Sequence, residues 1–242
     1  MSKWLCVICG YKNSSAPALR EGMLCGKCQS NWRVRACAIG VQMGTAFPPA
    51  PFPDVAANYS WRGIGTSDHM ALVGALSMKF DYTNSYYHRY PRLDLLNIPE
   101  DLQQHFGFVI CSDVLEHVPD PVNPALTGIA DLLADHGFAI LSVPNGGKEA
   151  STTEYYPNID TWTEFEDRVV WVDKSGIEHI NNDPEFHGGP GQALAFRRWG
   201  AQDFCDRVMA AGFKRIIDIP PYPELGVPEI KDSGMFIAYV NR

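Results

Sequence analysis

The sequence has no run of eighteen apolar residues, about the length a helix needs to cross a bilayer. A helical membrane span is therefore not expected. Positive charge is scarce as well: 20 Lys and Arg stand against 28 Asp and Glu, a formal net charge of −8. A dedicated nucleic-acid binder neutralises phosphates with a basic patch, so nucleic acid is disfavoured as a partner. No segment repeats. The opening MSKWLCVICG is too short in apolar length and too rich in cysteine for a secretory signal, so a cytoplasmic location is expected. The cysteines also do not pair off. There are seven, four of them clustered near the N-terminus, and Cys37, Cys111 and Cys205 are scattered. That is a metal pattern plus loose thiols, not a disulfide framework. The scattered three read as packing residues.

What is present fits one ordinary domain plus something small. The chain has 242 residues and is 45% hydrophobic, enough to bury a core of normal size. Three stretches differ in character. Residues 1–43 carry two CxxC knuckles, Cys6-Val-Ile-Cys9 and Cys25-Gly-Lys-Cys28, fifteen residues apart. Four thiolates at this spacing satisfy tetrahedral Zn²⁺ in a zinc ribbon. With Cys6, Cys9, Cys25 and Cys28 all ligands, no position stays open for water, so the zinc is expected to be structural. The alternatives are iron in the same S4 cage, or a site degraded in function but still folded. Residues 44–60 are a proline-rich link that suits neither a helix nor a central strand.

Residues 61–242 alternate strand-like and helix-like segments, with an insertion at about 145–192 that is rich in Asn, Gly, Glu, His and aromatics. WRGIG reads as a strand entering a glycine turn, with Ser67-Asp68 capping a helix to about Lys79. FDYTNSYY and LDLLN read as the second and third strands. FGFVICSD is an apolar run suited to a strand buried on both faces. A helix over about 122–136 should end at Gly137, and GFAILSVPN follows as a strand. Within the insertion, DRVVWVD has strand character. WGAQDFCDRVMAAGF is a helix ending at Gly212, and KRIIDIP and MFIAYVN are two more strands. Strands alternating with helices of this length predict an α/β fold with a mostly parallel sheet.

FVICSDVLEHVPDP, residues 108–121, resembles the end of the fourth strand in class I S-adenosylmethionine-dependent methyltransferases. GTSD, KFDYTNSYYH and PRLD resemble a bacterial sub-group that often carries an N-terminal zinc ribbon. The resemblance covers residues 61–145 well and 190–242 more loosely. It implies a Rossmann-like, seven-stranded, mostly parallel sheet with helices on both faces, and S-adenosylmethionine at the carboxyl ends of the strands. Gly63, Gly65, Ser67 and Asp68 match a depleted glycine turn that lacks the usual leading acid and third glycine. Thr83 and Asn84 match the ribose contact, Asp94 the adenine contact, and Ser112 and Asp113 the methionine end. From the residues alone, the glycines could form a plain turn and Asp94 could be a solvated acid.

Methyl transfer to a hydroxyl requires a group that takes the acceptor's proton, and a neutral His suits this. The candidates are His117, His179 and His187. His187, in DPEFHGGP, is the preferred base or acceptor contact; a DPEYHGNP-like segment occurs in the resembling sub-group. Glu116 and His117 equally suit a role in fixing the turn after the strand. The expected activity is O-methylation of a sugar, glycan or other small-molecule acceptor. The alternatives are an RNA methyltransferase with Arg20, Lys27, Arg33 and Arg35 as its basic face, and a non-catalytic protein of the same fold.

Overall fold

A computed structural model describes residues 3–14, 23–144, 151–188, 192–229 and 233–240. Strands β1 (Trp4–Leu5) and β2 (Lys12–Asn13) pair antiparallel and frame the first knuckle. Helix α1 (Trp32–Gly44) follows the second knuckle and begins at Asn31, whose side chain accepts the Val34 N–H at 3.0 Å. Buried residues lie all around α1, as in a helix enclosed by a core. Its glycines allow that enclosure. A Cβ on Gly44 would sit 2.3 Å from the Phe138 ring, and one on Gly40 would sit 2.7 Å from Ile140 and Ile219. Trp4, Val7, Trp32, Ile39, Phe108 and Ile237 belong to one continuous core. The cysteine segment, α1 and one face of the main sheet are therefore packed as a unit.

The chain then runs through β3 (Arg62–Thr66), α2 (Met70–Ser77), β4 (Asp81–Ser85), β5 (Phe106–Ser112), α3 (Asn123–Leu132) and β6 (Leu133–Pro144). Short strands follow: β7 (Thr153–Glu154), β8 (Ile159–Glu164), β9 (Val169–Asp173), β10 (Glu178–Asn181), β11 (Phe186–His187), β12 (Ala193–Leu194) and β13 (Arg197–Arg198). Helix α4 (Ala201–Ala210) and strands β14 (Arg215–Asp218) and β15 (Ser233–Tyr239) complete the order. The main sheet has six strands in the order β14-β15-β6-β5-β3-β4. Strands β4, β3, β5 and β6 are parallel, and β15 lies antiparallel between β6 and β14. Phe108, Val109, Ile110 and Cys111 of β5 are all fully buried, as a strand covered on both faces requires. Strands β8, β9 and β10 form a separate antiparallel sheet over a small core of Tyr156, Ile159, Val169, Trp171, Leu194 and Phe196.

The architecture is the expected α/β class, with corrections in detail. Six strands replace the expected seven among the described residues. LDLLN is not a strand: Pro91 and Pro99 bracket it, and Asp94 folds it back by accepting from Leu96 N–H (3.0 Å) and Asn97 Nδ2 (3.2 Å). Both Gly63 and Gly65 lie inside β3, so the turn is made by Thr66, Ser67 and Asp68 rather than by glycine. The cap of α2 is His69, whose Nδ1 accepts the Ala71 N–H at 3.2 Å, because Asp68 is engaged elsewhere. Helix α3 ends at Leu132, where the chain already pairs with β5. His136, not Gly137, takes the left-handed conformation, and Gly137 sits in β6. Helix α4 stops as expected before Gly212, whose φ is +110°.

Candidate functional site

The four knuckle cysteines converge at the N-terminal end. Cys6 Sγ lies 3.6 Å from Cys28 Sγ, and Cys9 Sγ lies 3.6 Å from Cys25 Sγ. A tetrahedron with Zn–S bonds of about 2.3 Å has edges of roughly 3.8 Å, so the cluster fits structural zinc. Its surroundings suit thiolates. Lys27 N–H and Asn13 Nδ2 approach Cys25 Sγ at 3.5 and 3.7 Å, and Ser30 Oγ lies 3.2 Å from Cys28 Sγ. The Arg35 guanidinium is buried behind the cluster, donating to the carbonyls of Gly226 (2.7 Å), Met23 (2.9 Å) and Ser30 and lying over the Trp4 ring. Burial pushes Arg35 down to about 10, against the pull of the cysteines.

A cavity of about 420 Å³, a size suited to a small ligand, lies at one end of the main sheet. It opens beyond the carboxyl ends of the parallel strands, where α/β sheets bind ligands. Thr66 and Ser67 line it from the end of β3, Ser85 and Tyr86 from the end of β4, and Val114 and His117 from the loop after β5. Asp94 and Leu95 supply a further wall. The insertion supplies the roof through Trp162 and Glu164 of β8 and Gln192 to Leu194.

Behind this cavity lies a polar network that ties three elements together. Ser67 has φ +64° and donates its N–H to the Ser85 carbonyl at 2.8 Å. The Asp68 N–H donates to Asn84 Oδ1 at 2.9 Å, and Asn84 Nδ2 donates to the Tyr86 hydroxyl at 2.9 Å. Asn84 is thus engaged in holding the turn to Tyr86. The Asp68 carboxylate fills the space where Gly65 has no side chain, and the Tyr82 hydroxyl donates to it there. A Cβ on Gly65 would come within 1.8 Å of Asp68 Oδ2.

Burial pushes the Asp68 carboxyl up to about 7 from 3.8, overcoming the lowering effects of Tyr82 and Arg33. An acid whose pKa is raised by folding binds its proton more tightly in the folded state. Its stabilisation is present at low pH and is lost as pH rises from 3.8 to about 7. Asp68→Asn is expected to remove that part of the pH dependence, read as a smaller drop in urea midpoint across this window. Equal drops in both proteins would contradict the assignment.

At the end of β5, Arg33 reaches across from the first turn of α1. Its Nη1 donates to Ser112 Oγ at 2.9 Å, and its Nε lies 3.1 Å from Asp113 Oδ2. Ser142 of β6 donates its hydroxyl to Asp113 Oδ1 at 2.8 Å and lies 2.8 Å from Ser112 Oγ. In the RNA-methyltransferase alternative Arg33 belongs to a basic outer face, whereas it turns to Ser112 and Asp113. It shares α1 with Arg35 and Gln42, both buried, on a helix enclosed on nearly all sides. With Arg35 buried as well, two of the four residues proposed for an RNA-facing surface point into the protein, and Arg20 lies outside the described residues.

The catalytic candidates also meet. His117 and His187 pack edge to face with ring centroids 4.8 Å apart. His117 is in the cavity wall and His187 stands against its ring. The His117 Nδ1–H donates to the Leu194 carbonyl at 2.8 Å. Burial lowers the His117 pKa, and the neighbouring His187 lowers it further. Glu116, fully buried, directs Oε1 toward both rings, at 3.8 Å from His117 Nε2 and 3.5 Å from His187 Nδ1. The insertion is stitched to this loop by Phe196 N–H donating to the Glu116 carbonyl at 2.7 Å and by Arg197. His179 is elsewhere, paired with Asp173 at 2.9 Å in the small sheet.

Of the candidates, Ser67, Asp94 and His117 line the cavity; Gly65, Asp68, Asn84, Ser112, Asp113 and His187 stand outside its lining, and Thr83 and Gly63 serve other places. Thr83 faces a second cavity of about 450 Å³ with Arg62, Arg92 and His105. Gly63 is buried against Phe108, where a Cβ would meet the ring at 2.1 Å, so its role is packing.

No protein-family model matches the sequence, and no curated protein matches it. Solved structures do match. An S-adenosylmethionine-dependent methyltransferase from Clostridium acetobutylicum superposes with a TM-score of 0.50 at 10% identity, over 87% of this chain and 92% of the other. The 1,6-didemethyltoxoflavin-N1-methyltransferase of Burkholderia thailandensis gives 0.48 at 11% identity, over 87% and 79%. CalS10, an amino pentose methyltransferase from Micromonospora echinaspora, gives 0.45 at 13% identity, over 87% and 92%. The chain has the Rossmann-like fold of the S-adenosylmethionine-dependent methyltransferases. No described helix is long and apolar enough to cross a membrane.

Proposed function

We propose that the chain is an S-adenosylmethionine-dependent methyltransferase acting on a hydroxyl of a sugar, glycan or other small-molecule acceptor. The observation that carries this reading is the roofed cavity at the carboxyl ends of β3, β4 and β5, with an imidazole in its wall. The residues fit the cofactor. Asp94, Ser67 and Tyr86 offer polar and aromatic groups for adenosine beside apolar Leu95 and Val114. Arg33, Ser112 and Asp113, at the end of β5 next to the cavity-lining Val114, are the residues we assign to the zwitterionic amino-acid end, which would exchange contacts with the Arg33–Asp113 pair. Bound S-adenosylmethionine supplies an electrophilic methyl on a sulfonium. We assign the chain's own part, aligning the acceptor oxygen and taking up its proton, to the His117–His187 pair. The Trp162 and Glu164 roof suits a polar ring with an apolar face, as a sugar has.

Formation of S-adenosylhomocysteine across a panel of sugar and small hydroxylated acceptors tests this reading. Product with small acceptors is expected; preferential methylation of RNA would overturn the acceptor class. His187→Ala should lower turnover while leaving cofactor affinity nearly unchanged, and an unaffected rate would remove His187 from the chemistry. Asp94→Ala should weaken cofactor binding by about 1–3 kcal/mol, roughly 5- to 150-fold, through loss of a partly buried hydrogen bond. Unchanged affinity in calorimetry would remove Asp94 from the cofactor contacts.

A further inference from the structure

We propose that Glu116, His117 and His187 form a binding site for a divalent transition-metal cation at the edge of the cavity, separate from the four-cysteine cluster. One oxygen and two ring nitrogens of these side chains lie within 4.8 Å of one another. Glu116 Oε1 is 3.5 and 3.8 Å from the two nitrogens. Donors bound to one cation through bonds of about 2.0–2.2 Å lie roughly 3.0–3.5 Å apart, so a small inward movement closes the set.

The outer contacts orient both rings for this purpose. A carbonyl can only accept, so His117 carries its proton on Nδ1 toward Leu194, and in the neutral ring Nε2 keeps its lone pair toward Glu116. His187 Nε2 lies 3.2 Å from Glu185 Oε1, which leaves Nδ1 as the nitrogen facing Glu116. A metal-bound imidazole commonly donates its other N–H to a carbonyl or a carboxylate, and these two rings use one of each. Glu185 is itself fixed by the Tyr155 hydroxyl at 2.8 Å.

Two imidazoles and one carboxylate on one side of a cation leave its other positions open, and imidazole selects first-row transition metals over magnesium or calcium. His117 belongs both to this set and to the cavity wall, so the open positions adjoin the acceptor space. The role of the cation rests on the methyl-transfer reading. With the cation bound, both facing imidazole lone pairs are taken and the pair no longer acts as the base; an acceptor hydroxyl on the cation would instead lose its proton to solvent more readily. The oxygen lone pair then forms the C–O bond as the methyl–sulfur bond breaks and sulfur keeps the electron pair. A sugar with adjacent hydroxyls could occupy two open positions at once.

The test is Mn²⁺ titration of the full chain with its cysteine-bound zinc in place, followed by the electron paramagnetic resonance signal of free Mn²⁺ without cofactor or acceptor. One Mn²⁺ per chain is expected. His187→Gln should weaken binding by at least about 10-fold, a loss seen even for changes to outer contacts of a metal site. Glu116→Gln should do the same, and His187→Gln on the half-exposed β11 keeps the test valid if the buried variant fails to fold. No binding by the unaltered chain at high micromolar Mn²⁺, or equal binding by the His187→Gln chain, would overturn the site and leave an ordinary carboxylate–imidazole cluster. Because metal is read alone, Mn²⁺ binding without methyl transfer would sink the proposed activity and not this site.

Discussion

Cys25→Ser is expected to release zinc and to destabilise the whole chain rather than its first segment alone. Cys25 is completely buried, and the S4 cluster rests on the same core as α1 and the main sheet. Apparent zinc-binding energies at structural sites reach about 10–16 kcal/mol in small peptides, comparable to the entire stability of an ordinary domain of about 5–15 kcal/mol. Loss of the metal also leaves the buried Arg35 guanidinium without the negative charge of the thiolates beside it. The expected result is loss of bound zinc together with a much lower melting temperature, seen equally in ribbon and sheet. Trp4 and Trp32 report on the ribbon side, while Trp199 lies in the core on the other face. Hydrogen exchange of β5 and β6 amides would show whether the sheet loosens too. Native protection there in the zinc-free variant would mean that the two parts fold independently.

The second large effect is expected at Arg197. It is fully buried, donates through Nε to both Glu154 oxygens at 3.1 and 3.0 Å, and donates through Nη1 to the carbonyls of Leu115 and Val118. It thereby clamps the loop that carries Glu116 and His117 onto the return leg of the insertion. Arg197→Ala leaves two carbonyls without this donor and the half-buried Glu154 carboxylate with only Arg207, at 3.8 Å. Breaking a buried pair from one side costs about 3–5 kcal/mol. Denaturant unfolding should show a loss of that size. Turnover should fall more than cofactor affinity does, because the loop lies at the acceptor side of the cavity. A stability loss below about 1 kcal/mol, the range of surface pairs, would contradict the clamp.

The contrast between residues that the sequence revealed and those it did not has a physical basis. The S4 cluster was legible because ligand type and spacing are both written in the chain, and the cysteine geometry follows from them. Strand β5 and helix α4 were legible because their apolar patterns are local. Arg33 and Arg35 were not, since a charged side chain on a buried helix gains its role from partners 79 and 191 residues away in the chain. Thr83 and Asn84 could not both serve one site, because neighbours on a strand face opposite sides; only the turn above Asn84 borders the cavity. The depleted glycine motif has its own explanation. Gly65 accommodates the Asp68 carboxylate and the Tyr82 hydroxyl, so its missing side chain makes room for a hydrogen bond within the chain. The absent third strand follows from Pro91, Pro99 and the folding back at Asp94, which a periodicity argument does not weigh.

The central claim is that the cavity beyond β3, β4 and β5 binds S-adenosylmethionine. Calorimetric titration of the unaltered, zinc-loaded chain with S-adenosylmethionine tests it most directly. Saturable binding at one site per chain is expected, weakened in the Asp94→Ala variant and unchanged in His187→Ala. No binding at high micromolar cofactor, by a chain shown to be folded, would contradict it and leave a protein that keeps the methyltransferase fold without its chemistry.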